Sequence, residues 1–261
     1  MYLKPKKKLG QNFLTDKNIQ RKICDTCALE SSDIVLEIGA GRGELTALLA
    51  ERADRVYALE IDDRLCGILQ ENLKNTSNVE IINQDILKFD FKRCHLKSGK
   101  RLKVIGNIPY YISSPIIECL LNSRERIHTV FITVQKEFAE RIAAKPGSKD
   151  YGSFSCFVQY YAEPRIILDI KKGCFTPSPK VDSALISLKI RPIPWVNPKD
   201  EKLFFRIIRS AFNKRRKTLK NSLEGIISAE KLEKFFLKYS LDKNTRPERL
   251  SLQDFANLTD I

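Results

Sequence analysis

Histidine is nearly absent from this 261-residue chain, which has only His95 and His128. Neither lies near the motifs described below, so chemistry that needs an imidazole base has no candidate there. Long apolar runs are missing too: none approaches 18 residues, and the lysine-rich amino terminus leads into no hydrophobic stretch. These absences argue against a membrane-spanning helix and a secretory signal, and the chain is expected to be cytosolic and monomeric. The seven cysteines are odd in number and scattered, unlike a disulfide framework. Cys24 and Cys27 form a CxxC, yet Cys66, Cys94, His95, Cys119, Cys156 and Cys174 offer no second pair at zinc-ligand spacing. Packing on a helix face is expected of the pair, and no metal is expected.

Acid is scarce relative to base, with 32 Asp and Glu against 46 Lys and Arg and a net charge of +14. The excess is concentrated. Residues 1–8 carry Lys4, Lys6, Lys7 and Lys8 with no acid, and residues 199–220 carry nine basic residues against Asp200 and Glu201. Such blocks suggest a polyanionic partner. Nucleic acid is favoured over a membrane surface, because Phe204, Phe205 and Phe212 share the second block at spacings that suit a helix packed into a domain. Candidate contacts are Lys6, Lys7, Lys8, Lys214, Arg215, Arg216, Lys217 and Lys220.

"DIVLEIGAGRGELTALLAERA" (33–53) reads as an apolar strand, a glycine turn and a helix with Leu45, Leu48 and Leu49 on one face. Gly39, Gly41 and Gly43 permit a tight turn and close approach of a ligand to the backbone. A dinucleotide fingerprint wants its third glycine at position 44, which is Glu44. The GxGxG spacing thus points to an adenosyl ligand without a pyrophosphate. Glu60, near the end of "RVYALEI" (55–61), is placed to accept ribose hydroxyls, and Asp85 ends "VEIINQD" (79–85) at a comparable height. Carboxylates at the ends of successive parallel strands line one crevice. Both have the plainer reading of strand-end charges.

Asn107-Ile108-Pro109-Tyr110 follow a buried-strand pattern, "LKVIG" (102–106). The Asn107 side-chain oxygen and the carbonyls of Ile108 and Pro109 can accept the two hydrogens of a planar amine, and Tyr110 offers a face for stacking. A turn-forming asparagine before proline is the plain alternative.

Strands and helices alternate from residue 33 to 144, which predicts a parallel sheet covered on both faces, with two more strands near 165–170 and 183–190 at one edge. The three prolines of "IRPIPWVNPKD" (190–200) mark a boundary between domains 1–192 and 193–261. The second domain reads as a small bundle of four helices, the last opened by a capping box from Ser251 to Asp254. The fold class is therefore α/β, with a small all-helical carboxyl-terminal domain.

Seven segments in order resemble one family: "KKKLGQNFLTD" (6–16), "LEIGAGRGELT" (36–46), "NQDIL" (83–87), "GNIPYYISSPII" (106–117), "FTPSPKVDSALI" (175–186), "AFNKRRKTLKNSL" (211–223) and "RPERLS" (246–251). The chain resembles the ribosomal RNA adenine dimethyltransferases, most of all the bacterial small-subunit enzymes. The resemblance implies a Rossmann-like class I methyltransferase sheet and S-adenosylmethionine as methyl donor. It also implies two adjacent adenosines of a small-subunit RNA hairpin as acceptors, each dimethylated at N6. By family pattern, Asn12 and Leu14 cover the cofactor, Gly39 lies beneath it, Glu60 holds its ribose and Asp85 its adenine amine, while Asn107 stands between cofactor and substrate. Tyr110 and Phe175 would sandwich a base flipped out of its stack, although Phe175 can also be read as a core aromatic.

Rival readings are the large-subunit resistance methyltransferases, which share GQNF and NIPY, and DNA adenine methyltransferases, which usually carry a second proline where Ile108 stands. A non-catalytic RNA-binding assembly factor is the rival outside enzymology; intact Asn107, Tyr110, Glu60 and Asp85 speak against it.

Overall fold

In this computed structural model, residues 5–214 and 217–261 are described. The strands in chain order are β1 (Phe13–Leu14), β2 (Ile34–Ile38), β3 (Arg55–Glu60), β4 (Val79–Asn83), β5 (Leu102–Asn107), β6 (Ile127–Gln135), β7 (Ala162–Ile170), β8 (Phe175–Thr176) and β9 (Ser183–Ile190). Seven of them form one sheet in the order β4-β3-β2-β5-β6-β9-β7. The run from β4 to β6 is parallel, and β9 joins β6 antiparallel. The two late strands thus stand at one edge, as their apolar stretches predict. All five residues of β2 are buried, which suits a central strand whose two faces are both covered.

Chain order reverses between β2 and β5, and in open α/β sheets that switch point opens the ligand crevice beyond the strands' carboxyl ends. The two strands come unusually close there. Gly106 lies opposite Ile38, and a β-carbon on it would stand 2.8 Å from the Ile38 carbonyl oxygen, so a side chain at 106 would push β5 away from β2.

Helices α1 (Lys17–Thr26), α2 (Glu44–Ala50), α3 (Asp63–Asn72) and α4 (Ser113–Asn122) accompany this sheet. Asp16 caps α1 by accepting from the Asn18 and Ile19 amides, and Asp62 caps α3 by accepting from Arg64. Cys24 and Cys27 are both buried in the apolar cluster that also holds Val35, Leu49 and Ile105, and burial pushes the Cys27 thiol up to about 12. Among the described residues, no helix is long and apolar enough to cross a membrane.

The chain divides into two compact units, Met1–Ala139 with Pro164–Ile190, and Glu140–Glu163 with Arg191–Ile261. The second unit begins near the proline-rich boundary but is larger than the expected 193–261, because it also takes in residues 140–163. Helix α5 (Lys136–Ala143) crosses into that segment, and α6 (Ser153–Tyr161) lies within it, unannounced by the sequence pattern. Its aromatics explain the placement. Phe157, Tyr160 and Tyr161 pack on Phe204 and Phe205 of α7 (Glu201–Asn213), with ring centroids 5.3–5.9 Å apart for the pairs Tyr160–Phe204, Phe157–Phe205 and Tyr161–Phe205. Both tyrosine hydroxyls donate to Glu201, at 3.0 and 2.6 Å. Helices α8 (Leu219–Ser222), α9 (Ala229–Lys238) and α10 (Leu252–Thr259) complete the unit, and the Ser251–Asp254 capping box is present. Helix α8 is a single turn: Thr218 caps its start, and Gly225, three residues past its end, adopts a left-handed φ of +78°.

Candidate active site

A cleft of about 800 Å³, counted to its open mouth, lies at the carboxyl ends of β2, β3, β4 and β5. Each wall comes from one strand end. Ile38, Gly39 and Gly41 arrive from β2, Leu59, Glu60 and Ile61 from β3, Gln84 and Asp85 from β4, and Asn107 to Ile112 from β5. The amino-terminal strap Leu9–Phe13 closes the remaining side.

The glycine turn is fixed from below by Glu60. Its carboxylate is buried and accepts from the Gly41 and Asp62 amides, both at 2.9 Å. Burial raises its pKa, and those amide bonds oppose the rise. Gly39 takes a φ of +75°, and a β-carbon there would sit 3.3 Å from the Asn107 carbonyl oxygen, so glycine is what lets the turn meet β5. Asp85 accepts from the Leu87 amide at 3.0 Å through Oδ1, which leaves Oδ2 as an acceptor for a ligand in the cleft.

Asn107 donates Nδ2–H to the Asn12 carbonyl at 2.8 Å. The strap therefore selects which end of the amide remains available, and that end is the acceptor, Oδ1. Pro109 differs from expectation: its carbonyl already accepts from Ile112 N at 3.3 Å and from the Ser113 hydroxyl at 3.4 Å. The acceptor pair open to an amine is thus Asn107 Oδ1 with the Ile108 carbonyl. Tyr110 is half-buried, and its hydroxyl shares a hydrogen bond with Ser183, which pins the ring; burial raises its pKa.

Phe175 and Leu14 lie apart from the cleft lining in which the motifs place them. Phe175 is 3% exposed and packs in the core with Leu14, Ile23 and Leu185, because β8 pairs antiparallel with β1 and turns both side chains inward. Phe175 is not part of the cleft wall, and Leu14 reaches only a smaller recess behind the glycine turn. Phe13 and Tyr111 are cleft-lining aromatics that the motifs did not single out. Tyr111 is 63% exposed, and its ring lies against Gly10. A third omission is Glu37, 2% exposed in that recess, with Oε2 unpaired among the described residues; burial pushes its carboxyl up to about 7.

Of the candidate RNA contacts, Lys6 is engaged elsewhere, since its ammonium lies 2.9 Å from Asp62. Lys8, Lys214, Lys217 and Lys220 are exposed, Lys220 with Glu233 3.5 Å away. The Lys7 side chain, Arg215 and Arg216 lie outside the described residues. Helix α7 adds a stripe that the charge blocks alone did not resolve: Lys202, Arg206 and Arg209 are exposed along one face, opposite buried Phe204, Ile207, Ile208 and Ala211.

Residues 2–261 match the family described as ribosomal RNA adenine dimethylase. The chain belongs to that family. It is therefore an S-adenosylmethionine-dependent ribosomal RNA adenine dimethyltransferase. It is 44% identical to a Clostridium acetobutylicum protein named ribosomal RNA small subunit methyltransferase A, across 97% of this chain and 92% of that protein. It is 43% identical to a protein of the same name from Ligilactobacillus salivarius, across 98% and 89%. Among solved structures, a dimethyladenosine transferase from Plasmodium falciparum superposes with a TM-score of 0.77 at 26% identity, covering 94% of this chain and 95% of that one. The 23S rRNA methyltransferase ErmE superposes with a TM-score of 0.74 at 27% identity, covering 96% and 100%. The dimethylase fold and the Rossmann-like sheet with its helical carboxyl-terminal part thus agree with the family.

The residues present suit the dimethylase cofactor. An adenosyl amino acid carries an ammonium, two ribose hydroxyls and an adenine amine, and the cleft and its recess offer buried Glu37 with a free oxygen, Glu60, and Asp85.

Proposed function

We propose that this dimethylase methylates N6 of two adjacent adenosines in a small-subunit ribosomal RNA hairpin, each to N6,N6-dimethyladenosine, during small-subunit assembly in the cytosol. The observation that carries the chemistry is the Asn107 amide, held by Asn12 so that Oδ1 is left to accept. The small-subunit substrate draws support from the 43–44% identical relatives that bear that name.

In this reading Gly39 and Gly41 lie beneath S-adenosylmethionine, Asn12 covers it, Glu60 would hold its ribose, Asp85 its adenine amine and Glu37 its ammonium. The cofactor supplies a methyl group already activated on a sulfonium. The adenine amine is a poor nucleophile, because its lone pair is delocalised into the ring. Asn107 Oδ1 and the Ile108 carbonyl accept its two hydrogens, favouring a pyramidal nitrogen whose lone pair is free for in-line attack. Tyr110 stacks on the extruded base. The product ammonium loses its proton to water, so no histidine is needed. At the second methylation one acceptor gives way to the first methyl group.

A second reading, methylation of large-subunit RNA, has the ErmE likeness in its favour. Transfer of labelled methyl groups to unmethylated small subunits, with large subunits and duplex DNA as parallel acceptors, separates the two. Dimethyladenosine in small-subunit RNA alone, lost in Asn107→Ala, is expected. Label in large-subunit RNA overturns the proposal, and tight RNA binding without label in any acceptor points to an assembly factor.

A further inference from the structure

Besides the Asn107–Asn12 bond at its middle, the strap that closes the cleft is fastened at both ends. At its inner end β1 pairs with β8, Phe13 opposite Thr176 and Leu14 opposite Phe175. At its outer end the fastening converges on one carboxylate, Asp62, whose side chain is wholly buried although it belongs to the turn after β3. Asp62 Oδ1 accepts from the Lys6 ammonium at 2.9 Å, and Oδ2 accepts from Gln11 Nε2 at 3.1 Å. Gln11 Oε1 in turn accepts from the Lys6 backbone amide at 2.7 Å, which closes a ring of three residues. Leu9, Gly10 and Asn12, which line the cleft, lie within or beside that ring.

Capping α3 calls for one acceptor from Asp62, and the Arg64 amide at 3.2 Å already uses it. The Arg64 guanidinium adds bonds at 3.1 and 2.8 Å. The bonds to Lys6 and Gln11 reach back 56 and 51 residues in sequence, beyond any capping need. Hydrogen bonding to Arg64, with Lys6 and Gln11 behind it, holds the Asp62 carboxyl well below the usual carboxylate range, so it stays ionised near neutrality. The Asp62 backbone amide also donates to Glu60 Oε1 at 2.9 Å. One short turn therefore joins the carboxylate on the ligand side of the cleft to the carboxylate that grips the strap.

We propose that Asp62 is a positioning residue which latches the strap over the cofactor cleft through Lys6 and Gln11, and that the latch sets how fast cofactor and its product leave. Asp62 is not among the residues that line the cleft. The inference rests on the cleft being the cofactor site and is independent of which RNA is methylated.

The test uses the full-length protein and S-adenosylhomocysteine without RNA, so it stands or falls separately from the acceptor assignment. Gln11→Glu sets a second carboxylate against Asp62, whereas Gln11→Lys returns N–H donors to the same oxygen. The expected result is dissociation of S-adenosylhomocysteine about tenfold faster in Gln11→Glu, with the rate restored to within about threefold of the parent in Gln11→Lys. Trypsin should cut at exposed Lys8 faster in Gln11→Glu and at the parent rate in Gln11→Lys. Lys6→Met should fall between the two. A parent-like dissociation rate in Gln11→Glu overturns the latch. Equal acceleration by both Gln11 variants also overturns it, since Gln11 would then act on the ligand directly.

Discussion

Asn107 and Asn12 are 95 residues apart and joined by a 2.8 Å hydrogen bond in which the Asn107 amide donates to the Asn12 carbonyl. The strap thereby fixes the orientation of the amide whose other end is the amine acceptor. Substitution by aspartate removes the donor and sets a carboxylate oxygen against that carbonyl. Asn107→Asp and Asn107→Ala are each expected to lower kcat for methyl transfer by about 10²–10³, the usual cost of losing one preorganised charge-stabilising group. Single-turnover transfer under saturating cofactor measures this; a loss under tenfold in Asn107→Ala would show that the acceptor is elsewhere.

Tyr110 offers both a ring and a hydroxyl bonded to Ser183. The stacking role predicts that Tyr110→Phe keeps most activity, whereas Tyr110→Ala loses about 1–3 kcal/mol of base binding, a factor of about 5–150. Comparison of KM for the RNA acceptor in the two variants checks it, and equal losses would assign the effect to the hydroxyl instead.

Glu37 is buried with its carboxyl pushed up to about 7 from an ordinary 4.5. A folded-state value above the unfolded one means that the fold prefers the protonated form. That preference is fully present below pH 4.5 and is lost as pH rises through 7, at a cost of about 3 kcal/mol at most. Glu37→Gln should therefore raise Tm at pH 8 and leave it nearly unchanged at pH 4.5, while weakening S-adenosylhomocysteine binding by tenfold or more. Thermal unfolding at the two pH values and calorimetric titration report the two halves separately.

The exposed α7 stripe of Lys202, Arg206 and Arg209 is suited to backbone phosphates. Converting all three to glutamine should flatten the dependence of log K for RNA on log salt by about 2–3, at roughly 0.7–0.9 for each phosphate no longer neutralised. Affinity for S-adenosylhomocysteine should not change. An unaltered slope would leave the stripe as an ordinary solvated face.

Much of the site was legible because its parts are contiguous. The glycine turn, the four residues after β5 and the carboxylates ending β3 and β4 each sit in a short window whose strand pattern declares where it lies, and parallel topology brings those windows to one edge. Composition likewise placed the basic blocks. What the sequence left open was every relationship set by long-range pairing. β1 against β8 turned Phe175 and Leu14 into the core, although a window around Phe175 reads equally well as a stacking surface. Helix α6 was not read from the sequence at all, and its place in the second unit depends on rings of α7 some forty residues on. Lys6 read as a cation for RNA until the fold set it against Asp62. Local propensity and motif spacing are properties of a few consecutive side chains, so the chain by itself determined the seven strands of its main sheet, its glycine turn and its enzyme family, but not the short β1 and β8. Burial and hydrogen-bond choice depend on which distant groups compete for the same atoms, and that competition is resolved only when the tertiary structure closes around them.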